Sequence, residues 1–134
     1  MSGIRESARH WARVWELGWN DHWVEPIVAL YAPDATCVIE PFTSTYRGTD
    51  QIEGWLRRVF AEESDVTAHF GEPIADDGRA AIRWWTTLRE DDAETTLAGT
   101  SIIRVDRSGL VVLQVDAWNR MSGQTSLPDH WDKV

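Results

Sequence analysis

"LAGTSIIRVDRSGLVVLQVDAWN", residues 97–119, is two apolar runs joined by a short polar turn. The period of both runs is two, the period of strands. In Leu110–Arg120, Leu110, Val112, Gln114, Asp116 and Trp118 share one face, and Val111, Leu113, Val115 and Ala117 share the other. Both faces are mostly apolar, so this strand is expected to be covered on both sides. A carboxylate there needs a partner or a use, because burying it unpaired costs several kcal/mol or forces it to neutralise. Asp116 is therefore the first candidate acid/base. The structural alternative is a buried ion pair with Arg104 on the neighbouring strand.

The same period extends upstream. Val66–Ala75, Ala80–Arg89, Thr95–Asp106 and Leu110–Met121 read as four strands, separated by "DDGR", "EDDAE" and "DRSG". Such turns join antiparallel neighbours and predict a meander. Ile82, Trp84, Thr86 and Leu88 are assigned to the inner face. Trp85 then lies among arginines on the outer face, which would suit a homodimer interface. His69, in "VTAHFG", is a candidate proton shuttle, or else a packed or exposed strand residue.

Before Ser64 the spacing is helical. Ile4, Ala8, Trp11, Trp15 and Trp19 predict a first helix, ended by Asn20-Asp21. A second helix is expected from Asp21, as N-cap, through Tyr31, with Pro33 stopping it. Ala35–Glu40 is a short strand, expected at the sheet edge. "TSTYRGTD" is a loop into a third helix, capped by Thr49 or Asp50, with Ile52, Trp55, Leu56, Val59 and Phe60 on its apolar face. Trp11, Trp15, Trp19 and Trp23, each four residues apart, form a spiralling aromatic face that reads first as core. "CVIEPF", residues 37–42, ends an apolar strand on Glu40. That carboxylate either points inward with a raised pKa or is an exposed strand end, or pairs with Arg47.

Composition limits what such a chain can do. At 134 residues and 43% apolar content it is expected to be one globular domain over 1–134. Nine Trp is far above the ordinary, and aromatics of that size fill a core or line a pocket. A net charge of −9, dispersed along the chain, argues against nucleic acid or an anionic membrane as partner. Cys37 is alone, which excludes an internal disulfide and fits a reducing cytoplasm. There is no apolar signal core and no run near the ~18 residues of a membrane span. No phosphate-cradling glycine loop, G-x-G-x-x-G or G-x-S-x-G occurs, and the four histidines lack metal-ligand spacing, so neither metal nor cofactor is expected. What remains is carboxylates and aromatics in a sheet.

"WNDHWVEPIVALYAPDATCVIEPF", "YRGTDQIEGWL" and the stretch quoted first resemble the SnoaL-like part of the nuclear-transport-factor-2-like superfamily. That group includes SnoaL-type polyketide cyclases and ketosteroid isomerases. The resemblance spans about Ile4 to Asn119. It implies an α+β cone: a curved antiparallel sheet wrapped around an apolar pocket, with three N-terminal helices on its concave side, a cystatin-like α+β barrel. The isomerases place a general-base aspartate before a proline at the end of the first strand, where Glu40 stands before Pro41. Trp15 falls where their oxyanion-hole tyrosine would be, and Ser101 where their protonated aspartate would be, so that oxyanion hole is largely lost. The cyclases use an aspartate in the last strand, and Asp116 matches it.

Together these readings name Asp116 and Glu40 as catalytic candidates. Trp15, Trp84, Ser101, Ile103, Gln114, Trp118 and His69 are the candidate ligand-binding residues. The expected activity is cofactor-independent acid–base chemistry on a hydrophobic carbonyl compound: isomerisation, cyclisation or dehydration. The alternatives are a non-catalytic domain holding an apolar ligand or partner segment, and a cone filled by its own Trp side chains.

Overall fold

The computed structural model describes residues 3–134. Ala8, Trp11, Ala12, Trp15 and Trp19 form the buried stripe of helix α1, Ile4–Asp21. The helix ends where His22 turns left-handed (φ 54°) and Trp23 N–H reaches back to Gly18 O at 2.7 Å. Such a turn satisfies the last carbonyls of a helix. Trp23, the fourth in the row, lies beyond that turn and is exposed.

Helix α2, Val24–Val28, is shorter than expected, with Trp23 rather than Asp21 at its N-cap. Gly18 lets α2 approach: a Cβ there would lie 2.6 Å from Ile27 Cδ1. Strand β1 begins at Tyr31, not Ala35, and runs to Glu40. The expected loop contains an edge strand, β2, Ser44–Arg47. Helix α3, Gly48–Glu62, buries Ile52, Leu56 and Phe60. Its N-terminal bond comes from the Gln51 side chain, which accepts Arg47 N–H at 2.8 Å, rather than from Thr49 or Asp50.

The remaining chain is the expected meander with one break. Val66–Ala75 divides at Gly71-Glu72-Pro73 into β3, Glu63–Phe70, and β4, Ile74–Asp76. Pro73 has no N–H to donate, so the ladder cannot continue through it. Strands β5 (Arg79–Glu90), β6 (Ala93–Val105) and β7 (Val111–Ser122) complete the sheet. The two-residue loops Asp77-Gly78 and Asp91-Asp92 both have positive φ, the mirror-image turn that matches strand twist.

Strand order is β2-β1-β7-β6-β5-β3, with β4 beside β5, in a curved sheet that does not close. Every pair is antiparallel except β1 with β7, which run parallel, so the sheet is mixed. Short turns report only neighbours in sequence. The β1–β7 pairing closes over α3 and the whole meander, which is why β1 sits inside the sheet and β2 takes the edge.

Helix α2 packs against α1 and α3, and those two pack against the inner face. Ala80, Ile82, Trp84, Thr86 and Leu88 of β5 are buried there, as the alternation requires. The outer face is partly covered by the chain's own C-terminal segment. Trp85 donates its indole N–H to Thr125 O at 2.9 Å, and Arg83 to Trp131 O at 3.0 Å. Ile102, Leu113 and Val115, further along that face, stay open in the single chain.

Candidate active site

Between the helices and the inner sheet face lies a cavity of about 250 Å³. Its walls are aromatic: Trp11, Trp15 and Trp19 from α1, Trp55 and Phe60 from α3, Phe70 from β3, Trp84 from β5 and Trp118 from β7. The row read as a core face is therefore core and cavity wall together. Gly99, paired with Trp118 across β6–β7, makes the last of these possible. A Cβ at 99 would meet Trp118 Cβ at 2.5 Å.

At the floor, the period of two brings Gln114, Asp116 and Ser101 onto one surface, Ser101 being the cross-strand neighbour of Asp116. All three are buried. Tyr31, which the sequence reading carried into a helix, joins them from β1. Its hydroxyl accepts the indole N–H of Trp15 (3.0 Å) and Trp11 (3.3 Å) and donates to Gln114 Oε1. Burial holds the Tyr31 phenol well above its ordinary value, so that donor stays protonated. With its oxygen met by Tyr31, the Gln114 amide must turn its NH2 to Asp116, at 3.1 and 3.4 Å from the two carboxylate oxygens. The chain of donors thus runs one way and ends on Asp116.

Those donors are neutral. Burial pushes the Asp116 carboxyl up to about 7, while hydrogen bonds from Ser101 and Gln114 pull it back only in part. Arg104, the alternative partner, sits exposed opposite Leu113.

Toward the opening stands a second perturbed carboxylate. Glu63, the first residue of β3, accepts Trp19 Nε1–H at 2.8 Å. Burial lifts it to about 7; the Trp19 bond lowers it, nearby Glu90 raises it and Arg120 lowers it. Arg120 itself is held by Glu90 at 2.6 Å. Glu63 follows helix α3 without a loop, so in "AEESD" it looked like one more polar residue of a helix end.

A family model for the SnoaL-like domain matches residues 3–114. The chain belongs to the SnoaL-like family. Solved structures agree on the fold. A Catenulispora acidiphila protein of ketosteroid-isomerase-like fold, in complex with trimethylamine, is 19% identical with a TM-score of 0.71, over 80% of this chain and 83% of that one. A Mycobacterium tuberculosis protein is 16% identical with a TM-score of 0.75, over 91% and 100%. A nuclear-transport-factor-2-like protein from Exiguobacterium sp. is 16% identical with a TM-score of 0.71, over 84% and 98%. No curated protein matches the sequence.

Within this SnoaL-like cavity the candidate residues separate. Asp116, Gln114, Ser101, Trp15, Trp84 and Trp118 all line it. Glu40 lines it only at the opening, where it is exposed and accepts Ser44 Oγ–H at 3.2 Å. Its register slips between Val38 and Glu40, and Glu40 is the last residue of the strand, still paired with Ser44. Ile103 shares the inner face but is packed in the core and does not reach the cavity. Alternation assigns a face, not a depth along the strand. His69 is exposed on the outer face beside Trp85, opposite in parity to Ala68 and Phe70, and lines a shallow hollow under the C-terminal segment instead. No group of three metal-ligating side chains occurs among the described residues, and no helix there is long and apolar enough to cross a membrane.

Proposed function

We propose that this chain is a small-molecule enzyme in which Asp116 moves a proton on a hydrophobic carbonyl compound, by isomerisation, cyclisation or dehydration. One observation carries the reading: a buried carboxyl, poised near 7 and oriented by Gln114, at the floor of an aromatic cavity. A group with a pKa near the working pH can both accept and return a proton. Glu63, rather than Glu40, is the second group of that kind. The test is turnover of hydrophobic ketones and enones. Asp116→Asn is expected to lower it about 10²–10⁴-fold with the fold intact. Undiminished turnover in the variant would remove Asp116 from the chemistry.

A second reading, a binding domain, is favoured by the donor count. The indole N–H groups of Trp11, Trp15, Trp19, Trp84 and Trp118 all serve protein acceptors, which leaves few donors to polarise a carbonyl.

We further infer that a second copy of the chain covers the open outer face. Ala98, Thr100, Ile102 and Arg104 of β6, with Leu113, Val115, Ala117 and Asn119 of β7, present no carboxylate on a protein of net charge −9. Two such faces can meet around a two-fold axis without like-charge conflict between acids. Light scattering is expected to give a dimer that Ile102→Asp dissociates; a monomeric parent protein rules it out. The buried free thiol of Cys37 supports a reducing, cytoplasmic setting.

A further inference from the structure

The cavity is one-sided in its charge. Its ionisable lining consists of Glu40, Glu62, Glu63, Glu90 and Asp116 against Arg120 alone. That guanidinium is already matched, donating to both oxygens of Glu90 at 2.6 and 3.3 Å. Among the described residues, neither Asp116 nor Glu63 has an ion-pair partner within 4.0 Å. A buried carboxylate without a counter-charge is unfavourable, and a positive group entering the cavity would relieve it.

The aromatic walls have the same preference. With the indole N–H groups of Trp11, Trp15, Trp19, Trp84 and Trp118 engaged by the protein, those side chains present ring surface to the interior. Ring faces carry the negative side of the aromatic quadrupole and attract cations, indole most strongly. The interior is therefore rich in acceptors and aromatic rings, and among the lining tryptophans of the described residues only Trp55 keeps an indole N–H that no protein acceptor takes. An anion would find no available positive charge there.

We propose that the ligand of this cavity is a small organic cation, an amine or quaternary ammonium carried on an apolar body. Its charge is set against the indole rings and the carboxylates of Asp116 and Glu63. The inference rests on the reading that this cavity holds the substrate, and it narrows a hydrophobic substrate to a positively charged one. Binding draws protons from the two carboxyls. The groups around Asp116 are Tyr31 and Cys37 from β1, Ser101 from β6 and Gln114 from β7. Those around Glu63 are Trp19, Glu62, Glu90 and Arg120. Only Arg120 among them is positive, so a bound cation is the chief new influence on both.

Three probes of one shape separate charge from size: choline, 3,3-dimethylbutan-1-ol, in which carbon replaces the nitrogen, and the 3,3-dimethylbutanoate anion. Calorimetry on the intact protein at pH 8 is expected to show choline binding at least about tenfold tighter than the alcohol, with the anion weakest. Choline affinity should fall as pH drops through 7, and fall also in Glu63→Gln and Asp116→Asn, with a thermal melt confirming that each variant is folded. If Asp116→Asn does not fold, Glu63→Gln and the pH series carry the test. An alcohol or anion that binds as tightly as choline overturns the charge assignment. It leaves the proton-transfer reading standing, because that is judged on ketone turnover. Choline affinity indifferent to pH and to Glu63→Gln also overturns the proposal, as does binding of none of the three.

Discussion

The floor and the mouth of the cavity each hold a carboxylate lifted to about 7, and they reach that value differently. At the floor, Asp116 meets only neutral donors, Gln114 and Ser101, and burial prevails over both. At the mouth burial is again the largest influence on Glu63, but Glu63 is less deeply set and also stands among charges of both signs, Glu90 and Glu62 against Arg120, with Trp19 donating to it. Screening by solvent makes the mouth sensitive to its neighbours and to salt, whereas at the floor desolvation prevails over hydrogen bonds from neutral groups that salt does not screen. The floor carboxyl is thereby insulated from surface charge, and the entrance is not.

The largest effect that can break this contrast is the dependence of stability on pH. Asp116 has a folded pKa of about 7 against an ordinary value of 3.8. Between those values the folded chain binds the proton that the unfolded chain has released. The contribution of Asp116 to stability is therefore full below about pH 4 and is lost as pH rises through 7. A shift of that size corresponds to about 4 kcal/mol at most, at ~1.4 kcal/mol per unit. Urea unfolding at pH 5 and pH 8 is expected to show the decline in the parent protein and a markedly smaller one in Asp116→Asn. Glu63→Gln should also reduce it, but by less, and should do so less as salt is raised. Equal slopes in all three proteins would mean that burial does not set the floor carboxyl.

The floor was largely legible in the sequence and the mouth was not. Asp116, Gln114 and Trp118 fall on one face of β7 by simple alternation, and Ser101 and Trp84 follow from the neighbouring strands. Strand periodicity is a local signal, and these residues obey it. Tyr31 and Glu63 were missed because each stands at a junction where a helical segment passes directly or nearly directly into a strand. There the period changes from 3.6 to 2 within a residue or two, and neither template places the side chain. The parallel β1–β7 pair eluded the reading for a related reason, since it is made by residues some eighty positions apart, such as Cys37 with Gln114. His69 is the opposite case. Its strand alternation, taken with Ala68 and Phe70, points it outward, and only its chemistry drew attention to it.

Glu40 sharpens the contrast by having the smallest effect. The sequence left open whether its carboxylate points inward or is an exposed strand end, and it lines the opening. Yet it is exposed, and among the described residues its one side-chain bond is from Ser44, a neighbour across the β1–β2 turn. An exposed carboxylate already solvated by water gains little from a 3.2 Å hydroxyl contact, and its removal strands no buried partner. Glu40→Gln is accordingly expected to change stability by less than about 0.5 kcal/mol, the usual range for surface substitutions. Turnover should stay within about threefold of the parent, far from the ~10²-fold or greater loss expected of a positioned acid or base. Glu63→Gln, measured beside it, should shift the pH profile of any turnover where Glu40→Gln leaves the profile in place. If Glu40→Gln instead abolishes turnover while its melting temperature holds, the strand end must swing inward when substrate binds, and the second proton-transfer group is Glu40 after all.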